Sequence, residues 1–371
     1  MILYFEVGPL KEREYTGIAQ VTAALAEQIL GDQDIDSEFF FGRMVVPKRV
    51  VEDLLRTRNG DLLEWCLQRS HGEPAPRQVS ASSVGLFPNR KTARRAFARD
   101  CQIIHDLSTL LTPQFHHADT VNYHATSMEM DLLTNDATFC VSDATRSDVL
   151  TYFPEVEPGR LHTLPLAATT GKDLADEVPG DVAVEPYILV LGTIEPRKNA
   201  VAVLRYIGTH PEFTKRNRVV FLGRFGWGST VEELVAEYGL QEQFSSGRIV
   251  FPGFVSEQAK NLLVRHARVL VYPSLFEGFG LPVLEAAALG VPCVTTRSSS
   301  LPEAAGPHAY YFDPFTVGDF DLSLMKAISD CEARGADVRR ECVEWSRRFS
   351  WAETYATLKA RIGELFPVVE H

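Results

Sequence analysis

The 371-residue sequence is poor in the features that mark redox, membrane and nucleic-acid proteins. Its six cysteines, Cys66, Cys101, Cys140, Cys293, Cys331 and Cys342, include no CxxC pair, and runs such as "CQIIHD" and "TFCVSD" bury them in apolar context. Reduced core thiols are expected. The ten histidines show no zinc-ligand spacing with cysteine, and His116 with His117 alone does not make a metal site. No apolar run reaches the roughly 18 residues of a membrane span. The start "MILYFEVGPL" has neither a basic opening nor a small-residue cleavage site, so a cytoplasmic chain is expected. Basic residues number 37 against 49 acidic ones, a net charge of −12. That balance lacks the field a general nucleic-acid binder needs, so any anion site must be local. No GxSxG elbow occurs, and "GRFGWG" (223–228) has the wrong spacing for a dinucleotide fingerprint.

Short apolar runs alternate with helical patterns along most of the chain, the pattern of βα units and parallel sheets. In the first half the strand candidates are 2–7, 37–42, 101–106 and 137–142; in the second, 187–192, 219–223, 248–253, 268–274 and 292–296. The reading is α/β, with two doubly wound halves joined by the breaker-rich stretch 166–186. Segment 42–99 mixes the helix-like "VVEDLLRTRNGDLLEWCLQ" with the loop-like "HGEPAPRQVSASSVGLFPNR", and a partly irregular insertion is expected there.

In such sheets ligands gather at the carboxyl ends of strands. One of these ends carries "PSLFEGFGLPVLEAAALGVPCVTT" (273–296), with Glu277 and Glu285. Pro282 suits a first helical turn, which puts Glu277 in the loop before a helix and the cap on Leu281, without a side-chain acceptor. The free N–H groups there would suit a phosphate, and Gly278 and Gly280 would let a ligand approach the backbone. Glu285 sits one turn in, among Val283, Leu284, Ala286 and Ala287. Such a carboxylate needs donors, from a ligand with hydroxyls or from a structural arginine. Arg197 and Lys198 fall in the loop of "LGTIEPRKN", before a helix expected to start near Asn199; they read as a solvated pair or as a diphosphate clamp. In the first half, Thr16 is a candidate cap with Gly17 behind it, and "IIHDLS" puts His105 and Asp106 at a strand end. The basic run Arg90 to Arg99 is expected to be a helix, by default a solvated face, with contact to anionic lipid headgroups or an acceptor phosphate as the sharper reading.

The ordered set "GTIEPRKN", "LGRFGW", "IVFPGFVS", "LVYPSLFEGFGLPVLEAAALGVPCVTT", "SSSLPEAAG" and "FDP" resembles glycosyltransferase family 4, most nearly its bacterial mannosyltransferase-like members. The likeness runs almost continuously from 186 to 366 and is weaker before that, resting on "TGIAQV", "IIHDLS" and "FCVSDATRSDVLTYF". It implies a GT-B fold: an acceptor-side Rossmann-like domain (1–165), a nucleotide-sugar domain (166–348) facing it across a cleft, and a last helix (349–371) crossing back. It implies retaining, metal-independent transfer of a hexose, mannose favoured, from a nucleotide diphosphate sugar to a glycan or lipid-linked oligosaccharide in bacterial polysaccharide or lipopolysaccharide synthesis. GDP-mannose is the favoured donor, UDP- and dTDP-sugars come behind it, and no further cofactor or metal is implied. By the same likeness Glu285 would hold the ribose hydroxyls and Glu277 the transferred sugar. Arg197, Lys198 and the backbone at Gly280 and Leu281 would bind the diphosphate. Phe254 and Val255 would border the base, His105 would sit by the reacting carbon, and Gly17, Thr193, Arg224, Gly278 and Phe279 would complete the donor site. "DID" (34–36) and "DFD" (319–321) match the metal-binding carboxylates of other nucleotide-sugar enzymes, but both lie in loop-like surroundings. The sequence departs from the family at Ala19, Pro252, Val264 and Arg224. A GT-B epimerase, a sugar phosphorylase and a catalytically silent binding subunit are the rival readings.

Overall fold

The computed structural model describes residues 1–13, 15–42, 44–69, 82–169, 185–224, 226, 230–316 and 318–365. Most of the expected linker and the loop-like stretch 70–81 lie outside the described residues. The chain divides into two compact units, Met1–Ala167 with Phe349–His371, and Ala168–Arg348. No described helix is long and apolar enough to cross a membrane.

Unit 1 is built on a seven-stranded sheet of β1 (Ile2–Glu6), β2 (Asp36–Phe41), β3 (Met44–Val46), β4 (Ser83–Phe87), β5 (Arg99–Ile104), β6 (Ala137–Cys140) and β7 (Leu161–Thr163). The spatial order is β3-β2-β1-β4-β5-β6-β7, parallel except for the antiparallel edge pair β2–β3. Helix α1 (Gly17–Gly31) follows β1, with Thr16 at its N-cap but no side-chain capping bond. The closing helix α15 (Trp351–Glu364) belongs to this unit. It starts at Ser350, whose hydroxyl accepts from the Glu353 N–H, and it is tied down where Tyr355 and Lys359 donate to Asp32 at 2.9 and 2.6 Å.

Two expectations fail in unit 1. Segment 42–99 is no insertion. It holds β3, α2 (Lys48–Thr57), α3 (Asp61–Arg69) and β4, a fully buried central strand beside β1. Gly85 disguised that strand: a Cβ there would meet the Phe97 ring at 2.0 Å, so the residue is glycine because an aromatic ring occupies its face. Arg90 to Arg99 forms no helix; up to Ala98 it is a bent loop, and Arg99 opens β5. Arg95 has a left-handed backbone (φ 53°), Phe97 packs into the aromatic cluster of Tyr4, Phe40 and Phe87, and Lys91, Arg94 and Arg99 pair with Asp100, Asp131 and Asp136.

Unit 2 has six parallel strands: β8 (Tyr187–Leu191), β9 (Arg218–Leu222), β10 (Ile249–Gly253), β11 (Val269–Tyr272), β12 (Cys293–Thr296) and β13 (Tyr310–Phe312). Their order is β10-β9-β8-β11-β12-β13, a doubly wound sheet whose direction of winding reverses between β8 and β11. Side chains alternate between two cores. Ile188, Val190, Val219 and Phe221 pack with α7 (Ala200–Thr209) and α14 (Asp319–Ser346), while Tyr187, Leu189, Leu191 and Tyr272 pack with α11 (Glu257–His266), α12 (Leu281–Ala288) and α13 (Leu301–Ala305). Both faces are covered, which is why these strands read as continuous apolar runs.

Candidate active site

Strands β8 and β11 pair in register, Val271 beside Val190, so the loops that follow them leave the sheet at one edge, at the winding reversal. The loop after β8 folds into a 3-10 turn, Pro196–Lys198, and ends at Asn199 with φ 53°. The expected capping bond at Asn199 is not made; its amide donates instead to the Pro273 carbonyl at 3.3 Å. With the Leu275 N–H donating to the Arg197 carbonyl at 2.9 Å, that contact fastens the two loops together. The loop after β9 is held equally close: a Cβ on Gly223 would stand 2.1 Å from the Gly192 carbonyl oxygen.

These loops assemble one charged ring. Glu277 Oε1 accepts from Lys198 Nζ at 2.5 Å, Ser274 Oγ at 2.6 Å and Tyr272 Oη at 2.9 Å, and Lys198 also reaches Tyr272 Oη at 2.7 Å. Oε2 faces Arg197 Nη1 across 3.5 Å, long for a hydrogen bond. Arg197 donates to the Phe276 carbonyl at 2.9 Å and to Glu195 at 3.1 Å. Burial pushes the Glu277 carboxyl up, but Lys198, Arg197 and the hydroxyl donors outweigh it and hold the group below its usual range. Both cations expected to bind a diphosphate therefore already face carboxylates, in a ring of two positive and two negative side chains. The Glu277 backbone is fixed by Ser299 and Ser300, whose hydroxyls donate to its carbonyl.

Beside the ring α12 begins one residue earlier than expected. Its N-cap is Gly280 at φ 105°, not Leu281, and Pro282 is the second helical residue. Glycine is required there by the left-handed backbone, with the Leu301 and Ala304 side chains 3.1 and 3.3 Å from where a Cβ would stand. No side chain caps the helix; Pro282 has no N–H and the Val283 N–H donates to the Gly280 carbonyl at 3.0 Å, which leaves the Leu281 N–H to a ligand or water. Gly278 and Phe279 are buried between the ring and this helix start.

Glu285 forms a separate cluster. The reading that only a ligand or a structural arginine would satisfy it is corrected by Lys260 on α11, which lies 2.9 Å from Oε2 and also pairs with Glu257. Burial still raises the Glu285 carboxyl above its usual value, against the pull of Lys260. Nearby in sequence to α11, Phe254 is 56% exposed, with the Arg224 guanidinium 4.5 Å from its ring centre, and Val255 packs on the core. Thr193 is half-buried in the loop after β8.

The first-half residues lie in unit 1. His105 follows β5, its Nε2 is 2.8 Å from the Pro88 carbonyl, and burial holds its pKa down. The ring is then neutral, with Nε2–H donating and Nδ1 left as an acceptor. It lines a cavity of about 90 Å³ with Ile18, Asn89, Gln102, His124 and Met128. Asp106 also lines this cavity, with its Oδ1 accepting from the Ser108 N–H at 2.9 Å and hydroxyl at 2.7 Å. Gly17 opens α1 with free space where a Cβ would be. The aspartates of "DID" and "DFD" do structural work where their contacts are seen: Asp36 starts β2, Asp319 accepts from the Asp313 N–H, and Asp321 accepts from Tyr206 Oη. No group of three or more His, Cys, Asp or Glu gathers for a metal among the described residues.

Sequence reasoning missed Tyr272, Ser274, Glu195, Lys260 and, in unit 1, Glu6. Tyr272 and Ser274 had a usable signal, since a polar residue ending a buried strand points to the loop edge. Lys260 had none, being 25 positions from its partner. Glu6 ends β1, accepts from the Gly8 N–H at 2.9 Å, and is pushed by burial to a pKa of about 7.

Residues 174–344 match the model of a family described as glycosyl transferases group 1. Among curated proteins, the chain is 32% identical over 257 residues to O-antigen chain mannosyltransferase B of Escherichia coli, covering 67% of this chain and 65% of that one. It is 29% identical over 237 residues to an MMP alpha-(1->4)-mannosyltransferase of Mycolicibacterium hassiacum, covering 61% and 54%. The chain thus spans less than two thirds of the length of the curated relatives it matches. Among solved structures, WaaG, a glycosyltransferase involved in lipopolysaccharide biosynthesis, aligns over 98% of this chain and 99% of its own with TM-score 0.65 at 14% identity. Anabaena HepE in complex with UDP and glucose aligns over 98% and 100% with TM-score 0.64 at 14% identity. The fold is GT-B, and the resemblance read from the motifs is borne out at the level of a GT-B glycosyltransferase sequence.

Proposed function

From a GT-B chain whose residues 174–344 match the glycosyl transferases group 1 family, we propose a glycosyltransferase that moves a hexose, mannose favoured, from a nucleoside diphosphate sugar to a glycan or lipid-linked oligosaccharide in bacterial polysaccharide assembly. The observation that carries this reading is the Lys198–Glu277–Arg197 ring beside the uncapped start of α12, at the winding reversal of the sheet. A diphosphate meets there a guanidinium fork, an ammonium and the Leu281 N–H at the helix start, while Glu277 Oε2 is the oxygen available to a sugar hydroxyl.

The chemistry follows from where charge grows. The bond from the sugar C1 to the diphosphate oxygen breaks, the acceptor oxygen bonds to C1 from the same face, and its proton passes to the leaving diphosphate. Lys198, Arg197 and the Leu281 N–H at the start of α12 stabilise the leaving group's charge, so the step needs no metal and no protein nucleophile. Glu285, steadied by Lys260, is assigned to the ribose hydroxyls. In unit 1, Nδ1 of neutral His105 is assigned to a substrate hydroxyl. Mannose is favoured by the two mannosyltransferase relatives. GDP is the first choice of base, with UDP next because the HepE structure holds it.

Incubation with GDP-mannose and a panel of glycan acceptors, read by mass spectrometry, should give a hexose-extended product that Lys198→Ala abolishes. Donor turnover without acceptor, or only with inorganic phosphate, would replace this reading by an epimerase or a phosphorylase. Nucleotide binding without transfer to any acceptor would make the chain a binding subunit.

A further inference from the structure

The opposite edge of the unit 2 sheet carries a second cationic feature that the strand-end ring does not use. Helix α11 ends at His266 and runs into β11, and α12 ends at Ala288 before β12, so their C-terminal ends lie at the amino edge of the strands. β11 alone separates the two edges by roughly 13 Å at about 3.3 Å per residue. An open cavity of about 680 Å³ lies at this edge, lined by Arg265 and His266 from α11 and by Arg339, Arg340, Glu344 and Arg347 from the end of α14. Four guanidinium groups face one carboxylate there, in a chain whose formal net charge is −12.

The four arginines are not equivalent. Arg339 is bound to the Gly290 carbonyl at 3.3 Å, closing the turn after α12. Arg340 pairs with Asp337 at 2.7 Å and stands 3.9 Å from Glu344. The side chains of Arg265 and Arg347 have no hydrogen bond or ion pair among the described residues, and both are exposed. A structural role accounts for Arg339 and in part for Arg340. Arg265 in the last turn of α11 and Arg347 at the cap of α14 also complement the negative ends of their helices, but neither guanidinium has a carboxylate partner among the described residues, and their mutual repulsion across one cavity favours a shared anion.

We propose that this cavity is an anion site for a phosphate-bearing ligand, distinct from the strand-end ring, with Arg265 and Arg347 as its ligating forks and Arg339 as its fixed wall. Phosphate is the chemistry that matches bidentate guanidinium donors. It can come from a lipid headgroup or from a soluble polyphosphate, and two probes separate the sources: flotation with phosphatidylglycerol-containing vesicles against pure phosphatidylcholine, and calorimetry with tripolyphosphate.

The test uses the full chain carrying Lys198→Ala, which weakens diphosphate binding at the other edge. In that background one probe at least should bind. Arg265→Glu with Arg347→Glu should weaken binding at least about tenfold, and Glu344→Gln should strengthen it about two- to fivefold. Vesicle binding alone assigns the ligand to a lipid headgroup, and tripolyphosphate binding alone to a soluble anion. Failure of both probes, or equal binding by the double charge reversal, overturns the proposal. Should the reversal lower the melting temperature, Glu344→Gln decides on its own: no gain in affinity overturns the site.

Discussion

Glu6 in unit 1 and Glu277 in unit 2 are both buried glutamates at the carboxyl edge of a parallel sheet, and their surroundings drive them in opposite directions. Glu6 has a backbone N–H and little else, so burial raises it to about 7. Glu277 has Lys198, Arg197, Ser274 and Tyr272, and stays ionised despite equal burial. The difference extends to the units around them. Unit 1 puts its best ion pair inside: Lys91 and Asp100 meet at 2.9 Å with both side chains fully buried, and Asn135, Gln102 and Thr138 complete the network. That network pins the helix-free connection between β4 and β5. Unit 2 keeps its charges at the strand edge, where a ligand can reach them. Similar doubly wound sheets thus use buried charge for two purposes, holding an irregular loop or presenting an ionic site.

Substitutions can break that contrast, beginning with the largest expected effect. Lys91→Met leaves Asp100 as an uncompensated buried charge and should destabilise unit 1 by about 3–5 kcal/mol, measured by urea unfolding; a loss under about 1 kcal/mol would place the pair with ordinary surface bridges. Lys198→Ala should act on function instead, lowering kcat/KM about 10²- to 10³-fold, the usual cost of one preorganised charge-stabilising group, with a smaller change in melting temperature. Glu6→Gln tests the opposite shift. A folded-state pKa raised from 4.5 to about 7 means that stability is complete below pH 4.5 and declines as pH rises through 7. The amide should therefore leave stability unchanged at pH 4 and add up to about 3 kcal/mol at pH 8. Equal stability of both proteins at pH 8 would mean that Glu6 is hydrated. The smallest effect belongs to Lys260→Met, which removes the partner of Glu285 and should weaken nucleoside binding about tenfold with transfer chemistry retained at saturating donor.

Much of unit 2 was legible in the sequence because its strands are buried on both faces and its site residues lie within a few positions of strand ends. Lys198 and Glu277 could be placed by counting from β8 and β11. The Gly280 cap was misplaced by one residue, since proline is at home at either of the first two helical positions. Unit 1 was harder for a physical reason. β4 carries a serine and a glycine whose fit depends on Phe97, twelve residues beyond Gly85, and the run from Arg90 to Arg99 hides its acidic partners at Asp100, Asp131 and Asp136. A charge pattern shows which residues are cationic but not that a distant aspartate neutralises them. Lys260 and Glu285 make the same point within unit 2.

The transfer chemistry proposed for unit 2 depends on the ring at the carboxyl edge of β8 and β11 being a nucleoside diphosphate site. Isothermal calorimetry with GDP, UDP and dTDP tests it most directly, on the wild-type chain and on Lys198→Ala and His105→Ala. At least one of the three should bind the wild type, Lys198→Ala should weaken it at least about tenfold, and His105→Ala should stay within about twofold. A dissociation constant unchanged in Lys198→Ala would contradict the assignment.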